Sequence, residues 1–302
     1  MIKRFILLHI VLAAIFQSYS GCLFAQTKSA YFTNISNWHQ QRVAYLKSPT
    51  GWLNIEGLFW LRPGNNSFGS APGNDIVFEH PDMPANAGAF ILSGKQVLWQ
   101  SNAGTSVMVD GLNLEKAIIY NSESAKNPAV RLGPFSWNII KREEKIGVRF
   151  RNLNSPAVNN FTGIDRFTVD SSWKLTALLV PSEKGGVVIT NVLGQTNLEK
   201  SPGQLRFSIN GRIYTLEALD EGGDELFIIF GDATNGSTTY PSGRFIYVMK
   251  PGANGQTEID FNKAINPPCA FTDFATCPIP PRQNVLPLAI TAGEKNFELH
   301  PK

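Results

Sequence analysis

The stretch L-R-F-S-I-N-G-R-I-Y-T-L, residues 205–216, decides the fold class. Leu205, Phe207 and Ile209 alternate with polar residues, the period-two pattern of a strand with one face buried. Asn210-Gly211 then supplies two residues that tolerate positive φ, which a type I′ turn requires. The spacing therefore predicts a β-hairpin. A second hairpin is predicted in N-I-I-K-R-E-E-K-I-G-V-R-F, residues 138–150, turning at Glu143-Glu144-Lys145.

From Gly51 onward the chain repeats that grammar, with short Val-, Ile- and Phe-rich runs cut by Gly, Pro, Asn and Asp every eight to twelve residues. Further strands are expected at 76–79, 89–92, 97–100, 106–109, 117–120, 174–180, 226–230, 244–249 and 258–261. One helix precedes them, over Asn34–Lys47, with Ile35, Trp38, Tyr45 and Leu46 near helical spacing and Ser36 as its N-cap. The expected architecture is mainly β: a sandwich-like half over 51–153, a second β-rich half over 154–302 with a seam at Asn154-Ser155-Pro156, and a helical lead-in over 26–50.

The N-terminus reads as a leader. Lys3 and Arg4 precede an apolar run from Phe5 to Phe16, and small or polar residues follow. That is the pattern of a secretory signal peptide, 1–25 if cut after Ala25. The alternative is a lipoprotein signal, 1–21, with lipid on Cys22, although Tyr19 stands where such processing wants an aliphatic residue. The protein is thus expected to be exported, periplasmic or envelope-associated, and to meet a membrane only through a lipid at Cys22.

Loss of Lys3 and Arg4 lowers the formal charge from +3 to +1. Basic residues are scattered singly rather than clustered on a face, so no nucleic-acid partner is expected. In an oxidising compartment the remaining cysteines, Cys269 and Cys277, are expected to form a disulfide. Two thiolates do not complete a zinc site, and His39, His80 and His300 stand at no ligand spacing from them, so no metal and no other cofactor is expected. Prolines 267, 268, 278, 280 and 281 exclude an interior strand there; the segment should wrap the surface, with Phe271 and Phe274 as anchors.

The densest polar group is F-G-D-A-T-N-G-S-T-T-Y-P-S-G-R-F, residues 230–245. Asp232 and Arg244 stand at the two feet of one loop, which also carries Thr239 and Tyr240. Asp260 and Asn262 follow, expected on one face of a strand. Two readings stay open. The six residues line a site for a small polar or glycan-like ligand in a binding or accessory module, with Trp52 and Trp60 as neighbouring aromatics. Alternatively Asp232 and Asp260 are the carboxylate pair of a hydrolase. No G-x-S-x-G, H-E-x-x-H, phosphate loop or dinucleotide fingerprint is present, and whether the protein is an enzyme stays open.

Two resemblances add to this. G-W-L at 51–53, L-F-W-L-R-P-G-N at 58–65, the Asp232 loop, then D-F-N-K-A-I-N-P-P-C, C-P-I-P-P and A-G-E-K together resemble the DUF1684 family of bacterial and archaeal proteins, over roughly Trp38 to Lys295. That family has no established chemistry, so the likeness implies boundaries but no reaction. Where its loop often reads T-S-G-x-E-T-Y, Asn235 and Thr238 depart, and the missing glutamate weakens a catalytic carboxylate there. Separately, G-N-N-S-F-G-S-A-P-G-N-D-I-V-F, residues 64–78, is similar in spacing to the forkhead-associated signature, which implies a sandwich. Its phosphate-gripping arginine falls on Asn65, and its serine and histidine on about Ala85 and Gly88, so the likeness implies architecture without phosphothreonine binding.

Overall fold

A computed structural model describes residues 29–182 and 185–297. Residues 1–25, where a leader is expected, and His300 lie outside the described residues. The chain is mainly β and forms two compact units. Unit 2 is Tyr45–Thr162 together with Phe271–Ala275, and unit 1 is built from residues up to Ala44, Gly163–Ala270 and the segment from Thr276. The second unit is thus an insertion in the chain of the first. The division after Thr162 falls later than the seam expected at 154–156, where Ser155 instead caps a short helix, α2 (Pro156–Asn160), by accepting from the amide of Ala157.

The helix α1 covers residues 29–47, so it begins before Asn34 and Ser36 is not its N-cap. The reason is tertiary: the Tyr31 hydroxyl, in the first described turn, is held by Asp260. Among the described residues no helix is long and apolar enough to cross a membrane.

Unit 2 carries β1 (Ile55–Trp60), β2 (Gly64–Gly69), β3 (Ile76–Val77), β4 (Gly88–Ser93), β5 (Gln96–Ser101), β6 (Val107–Val109), β7 (Leu112–Leu114), β8 (Lys116–Asn121), β9 (Val130–Leu132), β10 (Phe135–Arg142) and β11 (Lys145–Asn152). They form one sheet in the order β1-β11-β10-β9-β6-β7 and another in the order β3-β2-β4-β5-β8. The two sheets face each other across aromatic rings. Trp137 of the first meets Phe68, Phe90 and Trp99 of the second with centroids 6.0, 5.9 and 5.1 Å apart. This is the expected sandwich, its core supplied by inward-facing residues of alternating strands.

Unit 1 carries β12 (Lys174–Pro181), β13 (Gly186–Thr190), β14 (Thr196–Lys200), β15 (Gly203–Ile209), β16 (Arg212–Ala218), β17 (Glu225–Phe230), β18 (Arg244–Met249) and β19 (Gln256–Asp260). The order β16-β15-β12-β19 makes a four-stranded sheet, and β13-β14 and β17-β18 are two-stranded ribbons. Ile209 pairs with Arg212 across Asn210 and Gly211, whose φ angles are 50° and 78°, as the type I′ turn demands. Phe261 fills the core, edge-on to Phe207 and Phe230 at 5.7 and 5.5 Å.

After β19 the described chain makes no further strand and runs as short 3-10 turns and coil. Cys269 and Cys277 are joined, with Cα atoms 6.1 Å apart. Within the loop they close, Phe271 is fully buried, whereas Phe274 is 36% exposed and does not anchor it. Thr272 does so instead, its hydroxyl donating to the carbonyl of Ile55 at 3.0 Å. A loop with only eight residues of separation gives a modest constraint on the unfolded chain. Replacing both cysteines by serine should therefore cost about 2 kcal/mol, read as a lower denaturation midpoint with unchanged far-ultraviolet circular dichroism.

Candidate functional site

The six residues singled out from sequence divide into two clusters, both in unit 1. The first grows from the β17–β18 ribbon, whose register sets Phe230 opposite Arg244 and so brings Asp232 and Arg244 together at the open end. Arg244 Nη2 donates to Asp232 Oδ2 at 2.8 Å, and neither side chain has any solvent exposure. The other oxygen, Asp232 Oδ1, accepts from the Thr234 amide, the Thr234 hydroxyl and the Ile290 amide. Thr239 closes the group, its hydroxyl 2.7 Å from that of Thr234. Tyr240 contributes its carbonyl, which accepts from Asn235 Nδ2.

Arg244 also donates to the carbonyls of Ile290 and Ala292, at 2.9 and 2.5 Å. Gly293 stands next in the chain at φ +80°, and a Cβ there would come within 2.6 Å of the Ala264 carbonyl. Burial pulls the Arg244 guanidinium below its ordinary pKa while Asp232 opposes the shift. A closed ion pair whose outer contacts are mostly backbone groups is a structural joint, although Arg244 Nε finds no hydrogen-bond partner. It has no surface to offer a substrate, so Asp232 and Arg244 do not line an open pocket, and the Asp232–Asp260 pair expected of a hydrolase is not assembled in one.

The second cluster is also buried at Asp260 and Asn262, but Asp260 and Tyr31 border a cavity. Asp260, the last residue of β19, caps a 3-10 turn over Phe261–Lys263 by accepting from the Asn262 amide. Asn262 is therefore not on the strand, yet its side chain still meets Asp260, with Nδ2 donating to Oδ1 at 3.0 Å. The Tyr31 hydroxyl reaches both carboxylate oxygens, at 3.0 and 2.9 Å, and accepts from Asn262 Nδ2. Burial first, and then the Asp260 charge, push the Tyr31 phenol well above its ordinary pKa, so it remains a donor.

Tyr31 and Asp260 line a cavity of about 450 Å³, with Lys174, Tyr247, Lys250 and Glu258 around it, while Asn262 is buried and holds both. Lys174 pairs with Glu258 at 2.8 Å and lies 5.9 Å from the Tyr31 ring centroid. Behind the wall, Glu294 is buried against Arg42 at 3.2 Å, and burial raises its pKa although Arg42 opposes this. Arg166 feels Glu294, Tyr31 and Asp260, and two of its buried nitrogens, Nε and Nη2, make no hydrogen bond. Burial, and then Arg166, hold His39 below its usual pKa. Among the described residues no group of three His, Cys, Asp or Glu side chains could hold a metal ion.

Of the residues expected from sequence, Asp260 lines this cavity and Asn262 holds it from behind, whereas Tyr31, Lys174, Tyr247, Lys250 and Glu258 were not expected there. One signal was available on β18: Ile246 and Val248 are buried while Tyr247 and Met249 are exposed, so an aromatic is directed outward without a core to fill. Trp52 belongs to unit 2, where Arg149 lies 5.3 Å from its ring centroid, and β1 of that unit carries Trp60. Neither lines this cavity.

Residues 159–295 match the family model described as a protein of unknown function, DUF1684. The motifs at 51–53 and 58–65 fall outside that match. Among solved structures, an uncharacterized protein of Haloarcula marismortui, determined by solution NMR, is 28% identical, covering 45% of this chain and 78% of its own, with a TM-score of 0.39. The FHA domain of FhaA, complexed with the intracellular domain of Rv3910, is 14% identical over 31% of this chain and 97% of that one, with a TM-score of 0.22. An FHA domain from an analysis of phosphothreonine-dependent interactions has the same identity and score, covering 31% of this chain and 92% of its own. No curated protein matches the chain.

Two outcomes follow from the clusters. Arg244→Ala leaves the Asp232 carboxylate buried without its partner and should cost about 3 to 5 kcal/mol in chemical denaturation. Arg244→Lys should recover little of that, since an ammonium cannot reproduce the planar fork. Tyr31→Phe should cost about 1 kcal/mol at neutral pH. The folded-state pKa of Tyr31 lies above the unfolded value of about 10, so its contribution is intact below about pH 10 and is lost as pH rises through the folded pKa. Denaturation midpoints in alkaline buffers should fall less steeply for Tyr31→Phe than for wild type.

Proposed function

We propose that unit 1 is a non-catalytic binding or accessory module that takes a small polar or glycan-like ligand in the Asp260 cavity. The observation that carries this reading is the fixed geometry of its polar wall. Asp260 and Asn262 are held by each other and by Tyr31 before any ligand arrives, so little ordering remains to oppose binding. Asp260 Oδ1 accepts from Tyr31 and from two nitrogens of Asn262, while Oδ2 takes the Tyr31 hydroxyl alone and keeps acceptor capacity for a ligand donor.

Around that fixed acceptor the lining mixes signs. Lys174, Lys250 and Lys263 face Glu225, Glu258 and Asp260, which suits a neutral polyhydroxylated or zwitterionic ligand better than a polyanion. Tyr247, 42% exposed, adds a flat apolar face on which a sugar ring can lie. A hydrolase reading draws no support from this arrangement, because its proposed second carboxylate, Asp232, is closed inside the Arg244 joint. Export by the N-terminal leader, with or without lipid on Cys22, would put the module in the cell envelope; the intact mass of the native protein tests that location.

Thermal-shift and calorimetric titration with a panel of monosaccharides, amino sugars and free amino acids tests the reading. At least one class should bind with a dissociation constant in the millimolar range or tighter. Tyr247→Ala and Glu258→Gln should each weaken it about tenfold, with the melting temperature of the free protein nearly unchanged. Failure of the whole panel, or binding indifferent to both substitutions, would overturn it.

A further inference from the structure

The G-W-L motif at 51–53 takes no part in the Asp260 cavity and belongs to unit 2. It lies beside β11, where Ile146, Val148 and Phe150 enter the sandwich core, so that Gly147, Arg149 and Arg151 stand on the opposite, outer face of the sheet. Register places Leu58 of β1 and Asn138 of β10 beside Arg149, and Trp60 beside Gly147. The Trp60 ring lies over that glycine, since a Cβ at 147 would come within 2.8 Å of it.

Arg149 is only 7% exposed, yet no oxygen of the chain answers it. Among the described residues its guanidinium makes no hydrogen bond and no ion pair, and its Nε is fully enclosed. The Trp52 ring, with its centroid 5.3 Å from Cζ, offers a π face but no acceptor. The charges that act on Arg149 are Arg142 and Arg151, both like its own. Burial first, and then these two, pull its pKa down to about 10, so it stays protonated at neutral pH. Arg151 is fastened through Nη1 alone, which donates to Asn54 Oδ1 at 2.6 Å and to the Gly51 carbonyl. Gly51 has no room for a side chain, because a Cβ there would come within 2.2 Å of the Leu46 carbonyl. Arg151 therefore pins the short segment that carries Trp52 to Arg149.

We infer that unit 2 binds a phosphate group, free or as a monoester, on this outer face, with Arg149 as the gripping residue and Arg151 beside it. A guanidinium taken out of water without an acceptor destabilises the fold, and an anion brought to it removes that cost. Two arginines on one strand face, with no carboxylate acting on Arg149, suit a tetrahedral dianion with oxygens for both; a carboxylate balances one charge and fills one fork. Leu58 and Trp60, next along the same face, give the organic part of a monoester an apolar border.

Thermal denaturation and calorimetric titration of the whole protein with inorganic phosphate, phenyl phosphate and acetate, each against sodium chloride at equal ionic strength, test this. Phosphate should raise the melting temperature saturably, with half the effect reached at millimolar concentration or below, and acetate should do no more than chloride. Tighter binding of phenyl phosphate assigns the monoester and tighter binding of inorganic phosphate the free anion; either supports the site. Arg149→Met should abolish the response while leaving the melting temperature without ligand unchanged or higher, because an unanswered buried charge gives way to an apolar chain. Should that variant fail to fold, Arg149→Lys keeps the charge without the fork and should weaken phosphate about tenfold or more. A phosphate response no larger than that of chloride, or one that survives both substitutions, would overturn the site. An acetate response as large as that of phosphate would overturn the phosphate assignment.

Discussion

The buried pair of Asp232 and Arg244 is the joint on which unit 1 depends. It sits at the open end of the β17–β18 ribbon, and its spare hydrogen-bonding capacity is spent on chain that is neither strand nor helix. Arg244 takes the carbonyls of Ile290 and Ala292, and Asp232 takes the amide of Ile290. A coil cannot satisfy its own backbone as a ladder does, so its buried polar groups need partners from elsewhere. Here one guanidinium and one carboxylate meet that need over a stretch that also supplies Ile290 and Ala292 to the core. The left-handed conformation of Gly293, between the Ala292 carbonyl and buried Glu294, fits the coil around the arginine.

Glu294 links the joint to the cavity wall. It holds Arg42 of the helix and the Asn266 amide, and its charge is felt by Arg166 and Arg244. The residues of unit 1 that look alike in a sequence, scattered acids and arginines, therefore separate by their surroundings. Those at the joint are enclosed by coil, with only Arg244 Nε left without a partner; Asp260, beside the cavity, keeps acceptor capacity on Oδ2. The difference lies in how many donors and acceptors the backbone brings, and burial of the groups alone would not separate them.

Much of the fold was legible. The Asn210-Gly211 turn fixed a register, and β18 has the bounds its apolar run suggested, because hairpins are specified by contacts close in sequence. The same locality made the Asp232–Arg244 pairing legible, since one ribbon carries both feet of the loop. What stayed hidden was set by distant residues. The start of α1 and the role of Tyr31 depend on Asp260, 229 residues away. Strands β13 and β14 were missed because β14 is exposed throughout and Val188 and Leu198 face water, so no buried alternation marks them. The closure of the Arg244 site was invisible because its acceptors come from coil 46 and 48 residues later, where no periodicity exists to read.

The insertion of unit 2 within unit 1 sets an order of events for the chain. Helix residues made early in synthesis cannot find Asp260, Asn266 or Glu294 until more than two hundred further residues exist. A closure over such a span is entropically costly and slow. Most of unit 2, however, lies in one continuous run between those partners and can condense on its own contacts, taking that length out of the free chain. The helix carrying Tyr31 is thus synthesised before the rest of the described part of unit 1 and is among the last of its elements to be seated.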